Sequence, residues 1–262
     1  MPEAVRSPFA FTHNNTLSIL GGCRGPKDHS TNLQQCDLLT RQWTVRSVLQ
    51  QGRSCFMGEV IGNGKVWVSG GFDGYESIKS AECVELNGGG SSRKMKGLGQ
   101  PMKNSVSLRQ GEEIYIFGGW DGKSTLDKIF KYTHSTQSTS FVGYLPYALE
   151  SPAHCQADDS TLFLFGGFDS YGVTGKIIKV DLRNMEAVEY PGVNLAVKRE
   201  NCTAQMLNGE YIVVAGGWGG GKAISQIEVF RYDKETKTLT RDDSMGEELL
   251  FPRNRPCSIG LI

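Results

Sequence analysis

Short apolar runs that stop at a pair of glycines punctuate this chain. They read LSILGG ending at Gly22, VWVSGG at Gly71, IYIFGG at Gly119, LFLFGG at Gly167 and IVVAGG at Gly217. Runs of this length, rich in β-branched and aromatic residues, predict buried strands, and each glycine pair predicts a sharp turn. The five pairs (21-22, 70-71, 118-119, 166-167 and 216-217) recur at intervals of 49, 48, 48 and 50 residues. Before the runs lie extended segments with small residues, such as SCFMGEVI and NCTAQML. Polar turns join the two at Gly62-Asn63-Gly64, Gln110-Gly111-Glu112, Asp158-Asp159-Ser160 and Asn208-Gly209-Glu210. These are hairpin turns, whose central residues need positive φ. A third strand is predicted to end near Asp37, Tyr132, Asp181 and Tyr232, and a fourth to lie near Trp43, Phe141, Tyr190 and Leu239.

Four antiparallel strands in roughly 50 residues make one propeller blade. The pattern predicts an all-β propeller of five blades spanning residues 1–262 as a single domain; an incomplete six-bladed ring is the alternative. Glycine is expected where a side chain would strike the neighbouring blade and the backbone needs a left-handed turn. A ring must also dispose of its two free sheet edges. The C-terminal RNRPCSIGLI repeats the first-strand pattern of RSCFMGEVI, so residues 255–262 are expected to supply the first blade's inner strand. The rival for that place is SPFAFTHNN at 7–15.

The fifth run also fits a phosphate-binding loop, with Gly216, Gly221 and Lys222 in the right frame. That motif needs a metal-binding hydroxyl after the lysine and a helix to follow. Ala223 stands there, and ISQIEVFRY alternates as a strand, so the resemblance is a by-product of the repeat. Formal net charge is zero, from 28 basic and 28 acidic residues, which gives no general attraction to nucleic acid or an anionic membrane. No apolar run reaches membrane-spanning length and the N-terminus lacks the apolar core of a signal peptide. Seven cysteines without paired short spacings suit a reducing compartment, and a cytoplasmic location is expected.

The repeat resembles the kelch family, on the glycine pair after an apolar strand, on GGFDG at 70–74 and GGWDG at 118–122, and on the Asp or Tyr closing the third strand. The resemblance covers nearly the whole chain. Two departures stand out: only Trp43 keeps the family's fourth-strand tryptophan, and the first repeat reads GGCRGPKDH. The resemblance implies a non-enzymatic module that binds a protein or peptide through one loop face, as ubiquitin-ligase substrate receptors or cytoskeletal scaffolds do. The repeats leave no room within these residues for a BTB domain. It also implies, as the alternative, a small-molecule enzyme of the sugar-acid mutarotase or lyase type, for which Arg53, Arg199 and Glu200 are the candidates.

No catalytic, metal or cofactor constellation is expected. The four histidines fall in unrelated repeat positions, and the iron motif Glu-x-x-x-Asp-x-x-x-His does not occur. His154 and Cys155 are adjacent, so on a strand they point to opposite faces. In the resembled family the binding face combines two sets of loops. Loops between second and third strands carry Arg24, Tyr75, Trp120, Lys123, Tyr171 and Trp218. Segments between blades carry Arg53, Asn104, Arg199, Asn201, Arg253 and Arg255. Aromatic and arginine side chains are the usual interface anchors. Arg53, Arg199 and Arg255 recur at similar repeat positions, so a positive centre and an acidic peptide ligand are expected. Asp73 and Asp121 are expected to hold local backbone donors.

Overall fold

All five glycine pairs close the second strand of an antiparallel sheet in the computed structural model, four-stranded in the first four and joined by a further strand in the fifth; the structure describes residues 1–62, 64–87 and 90–259. The first sheet is built from Phe9–His13, Thr16–Leu20, Asn32–Asp37 and Trp43–Ser47, and the second from Met57–Gly62, Lys65–Ser69, Ala81–Glu85 and Ser92–Met95. The third uses Val106–Gln110, Glu113–Phe117, Lys128–Thr133 and Ser138–Tyr144. Ala153–Asp158, Thr161–Phe165, Ile177–Asp181 and Glu186–Glu189 form the fourth, and Thr203–Leu207, Tyr211–Ala215, Ile224–Asp233 and Thr238–Arg241 the fifth. The fold is an all-β, five-bladed β-propeller. The supposed phosphate loop is a tight turn into Ile224–Asp233, closed by Gly219 N–H to Lys222 C=O (2.9 Å), with no helix after it.

The first sheet takes its inner strand from Phe9–His13, which pairs with Thr16–Leu20 from Phe9↔Leu20 to His13↔Thr16. This corrects the closure expected from residues 255–262. Residues 255–259 carry no strand, and 260–262 lie outside the described residues. The physical reason is local: Asn14 and Asn15 sit at φ 47° and 56°, a two-residue turn whose twist matches its flanking strands. Asn208 and Gly209 are left-handed as well, at φ 51° and 68°, in a three-residue connection between Leu207 and Tyr211. The Gly62-Asn63-Gly64 turn includes Asn63, outside the described residues.

The chain divides into two compact units, residues 1–124 with 130–141, and residues 125–129 with the described residues from 142 onward. In the first, Phe11, Leu20, Leu33, Val66, Val68 and Val84 fill the space between the first two sheets, and the Trp67 and Tyr132 rings meet at 5.1 Å. In the second, Phe163 meets Tyr190 and Tyr232 edge-on at 5.6 and 5.9 Å, while Phe165 lies 5.6 Å from Phe230. Burying each such ring contributes roughly 1.5–3 kcal/mol.

Within each unit the segment leading from one sheet's fourth strand to the next sheet's first strand follows one register. Gly22 N–H donates to Arg53 C=O (2.8 Å), Gly71 N–H to Met102 C=O (2.7 Å), and Gly167 N–H to Arg199 C=O (2.8 Å). Gly217 N–H donates in the same way to Arg253 C=O (2.7 Å). The strand Glu247–Arg253, which pairs with Ile224–Asp233, therefore brings residues 249–255 into the register of a further lead. Two residues beyond each lead's carbonyl the backbone turns left-handed, at Cys55, Asn104, Asn201 and Arg255 (φ 53° to 59°).

Candidate interaction face

The structure moves two of the predicted arginines away from the surface. Arg53 and Arg199 are both 0% exposed. Arg53 donates through Nη1 to the carbonyls of Gly70 (3.0 Å) and Ser80 (2.9 Å), and pairs through Nη2 with Glu82 at 2.7 Å. Arg199 repeats the arrangement with Gly216 (3.1 Å), Gln226 (2.8 Å) and Glu228 (2.7 Å). Each carboxylate also accepts two backbone N–H groups of its lead, Gln50 and Gln51 on Glu82, Ala196 and Val197 on Glu228. The arginine thus staples the lead to the sheet it enters, because a buried guanidinium must find a carboxylate and several acceptors. The expected positive centre of Arg53, Arg199 and Arg255 is not formed, and neither arginine is open to a sugar acid.

Other leads solve the same problem differently. In the first sheet the Gln34 side chain takes the carboxylate's place, accepting Glu3 N–H at 2.8 Å. In the fourth, Leu149 and Ile178 stand at the register of Arg199 and Glu228, both about 1% exposed. Pro146 there has no N–H that would need the missing carboxylate.

The remaining candidates lie in the segments after the glycine pairs and in the leads. In the first unit Asp73 Oδ1 accepts Tyr75 N–H and Glu76 N–H, both at 3.0 Å, and Asp121 Oδ1 accepts Lys123 N–H (2.7 Å) and Ser124 N–H (2.8 Å). The aspartates hold local backbone as expected, and these hydrogen bonds outweigh burial to keep both carboxyls below their usual range. Each turn pushes the residue after its tip outward: Tyr75 is 73% exposed and Lys123 is exposed. Lys27 stands 5.4 Å over the Tyr75 ring, and Lys103 stands 4.7 Å over Phe72, which His29 meets edge-on at 5.5 Å. Burial lowers the His29 pKa. Arg24 is exposed and held by Asp28 (2.8 Å) and Glu3 (3.4 Å). Trp120 is partly buried, its backbone exchanging hydrogen bonds with Lys103, and Asn104 holds its left-handed turn at φ 56°.

In the second unit Asp169 holds Tyr171 N–H (3.1 Å) and leaves the tyrosine 99% exposed. Trp218 is partly buried over the lead at Glu200 (2.8 and 3.0 Å). Asn201 is half-buried at the lead's left-handed turn. Burial raises the Glu200 carboxyl, opposed by Arg255 and reinforced by Glu150. Arg253 is exposed beside Phe251, and Arg255 is partly buried. This part of the face therefore mixes signs. Cys155 is buried and its thiol pushed up to about 12 by burial, while His154 is exposed on the other side of the strand, so the two form no nucleophile pair.

Sequence reasoning missed Glu82 and Glu228, although each lies 29 residues after its arginine. It also missed Glu59, on the second sheet's inner strand. Burial raises the Glu59 carboxyl to about 7, against a hydrogen bond from Ser107 and the nearby Arg109. A carboxyl whose folded pKa lies above its unfolded value weakens the fold as pH climbs from about 4.5 to about 7. Glu59→Gln will therefore stabilise the protein by about 1–2 kcal/mol at pH 8 and by nothing at pH 4, read from urea midpoints. An equal effect at both pH values would refute the assignment.

The spacing, the glycine pairs and the Asp-Gly turns now stand on one fold, and the family described as Kelch motif matches residues 101–138, the third repeat. The third repeat is a Kelch motif. Kelch domain-containing protein 10 of Homo sapiens is 25% identical over 214 residues, covering 73% of this chain and 47% of that protein. The Xenopus tropicalis protein of the same name is 22% identical over 214 residues, covering 74% of this chain and 51% of its own length. Spermatocyte protein spe-26 of Caenorhabditis elegans is 30% identical over 119 residues, 45% of this chain and 20% of that protein. The chain thus spans about half the length of the Kelch domain-containing protein 10 sequences it matches. Among the described residues no helix is long and apolar enough to cross a membrane.

Proposed function

We propose that this kelch chain is a non-enzymatic interaction module that seats a partner protein or peptide on its loop face. The observation that carries this reading is the pair Tyr75 and Tyr171. They occupy the same repeat position, are 73% and 99% exposed, and are held there by aspartate turns that serve no core packing. Rigidly presented tyrosines are characteristic interface anchors. Acidic residues of a partner would meet an exposed cation at the first of them, since Lys27 stands 5.4 Å over the Tyr75 ring. Seven cysteines without paired short spacings support work in a reducing compartment such as the cytoplasm. A role as substrate receptor or scaffold follows if the captured partner is a ubiquitin-ligase subunit or a cytoskeletal protein.

Affinity purification with mass spectrometry tests this, comparing wild type with Tyr75→Ser/Tyr171→Ser. Both side chains are exposed, so the variant keeps its fold. Each anchor lost is expected to weaken a partner by about 30-fold. Identical partner lists for wild type and variant would overturn the proposal.

A further inference from the structure

A pocket of about 560 Å³ opens on the first unit where the second sheet hands the chain to the third, well supplied with cations and hydroxyls. Lys79, Lys96, Ser138 and Thr139 line it, the Ser138 hydroxyl already sharing a hydrogen bond with that of Thr136 (2.7 Å), and residues 97–99 add a wall of backbone. No carboxylate lines it. Both lysines are exposed, and neither has a carboxylate within 4.0 Å among the described residues. Among the described residues the Thr139 hydroxyl is buried and without a hydrogen-bond partner, as is Nε2 of Gln100 beside the wall. A buried polar atom left unpaired costs stability, and such atoms mark places where a ligand completes the network.

The glycines sharpen the point. A Cβ on Gly97 would lie 2.1 Å from Lys79 C=O, so packing demands glycine there. A Cβ on Gly99 would meet nothing within 4 Å, and its backbone is not left-handed. What the absence of a side chain at 99 does is keep the pocket open. Ser80, the remaining polar lining residue, is already spent: its hydroxyl donates to Gln51 and accepts from Arg53.

We propose that this pocket binds a phosphomonoester, its dianion held between Lys79 and Lys96 with the Thr139 hydroxyl as a further donor. A phosphomonoester carries about −1.5 to −2 at neutral pH and three strong acceptor oxygens, which matches two ammonium groups and orphaned donors better than a single carboxylate does. A cavity of this size takes the phosphate together with its carrier, either a phosphorylated side chain or a small phosphorylated metabolite. The site involves none of the loop-face tyrosines and stands or falls separately from them.

Titration of the ¹⁵N-labelled protein tests it, with inorganic phosphate, free phosphoserine, a phosphoserine pentapeptide flanked by alanines, and glucose 6-phosphate as probes. Saturable shifts confined to residues 79–80, 96–99 and 138–139 are expected. Lys79→Gln/Lys96→Gln should weaken binding at least about tenfold. Thr139→Val should weaken it about threefold while leaving the melting temperature unchanged or raised, because it removes an unpaired buried hydroxyl. A pentapeptide that binds better than free phosphoserine and glucose 6-phosphate assigns the site to a phosphorylated protein; the reverse order assigns it to a metabolite. Absence of saturation with every probe, or equal binding by the double lysine variant, overturns the proposal.

Discussion

Arg53→Met will destabilise the protein by about 3–5 kcal/mol, because it leaves the Glu82 carboxylate buried without its cation. Glu82 is 2% exposed, and its remaining partners are two backbone N–H groups and the Ser92 hydroxyl at 2.6 Å. The same change at Arg199 will cost less, about 2–3 kcal/mol, since Arg241 stands 3.5 Å from Glu228 and stays behind. The fourth sheet shows how the loss can be reversed. Arg199→Leu/Glu228→Ile combined with Ala196→Pro copies its Leu149, Ile178 and Pro146, and should recover stability to within about 1 kcal/mol of wild type. Urea denaturation of the single and combined variants decides the matter. A loss below about 1 kcal/mol for Arg53→Met would show that the staple contributes little.

The glycine pairs give the second large effect. Gly70 and Gly166 sit at φ 66° and 63°, and a Cβ on either would lie 2.2 Å from a lead carbonyl, that of Met102 or Arg199. Gly111 has nearly the same backbone, φ 61°, with nothing within 4 Å of its Cβ. Gly111→Ala therefore measures the conformational strain alone, about 1 kcal/mol. Gly70→Ala and Gly166→Ala add a backbone collision that no rotamer relieves, and are expected to cost about 4 kcal/mol or to yield insoluble protein. Three equal costs in thermal or urea unfolding would mean that the glycines are there for φ and not for close approach.

These two contrasts also mark what the sequence makes legible. The glycine pairs announce the sheets because the constraint is backbone-deep and recurs in every repeat. The hairpin at Asn14-Asn15 is equally local, but composition alone does not separate a first strand from the lead before it, and residues 255–262 resemble both. Arg53 and Arg199 were conspicuous for the wrong reason. A cation that recurs at one repeat position can be a surface feature or a buried fastener, and only the carboxylate 29 residues on distinguishes them. Tyr75 and Tyr171 were readable because an Asp-led turn fixes which residue must point outward. The pocket beside Lys79 was not, since Lys79, Lys96 and Thr139 come from different strands and connections and follow no period.

The staple has a consequence for the order in which the chain becomes stable during synthesis. Arg53 leaves the ribosome before Glu82, and Arg199 before Glu228, in each case by 29 residues. Until that carboxylate emerges, the guanidinium must remain in water, and the lead cannot settle. A nascent chain halted just short of Glu82 or Glu228 will therefore hold its last sheet open, and one released a few residues later will close it, so that translation itself sets the rhythm at which these sheets lock.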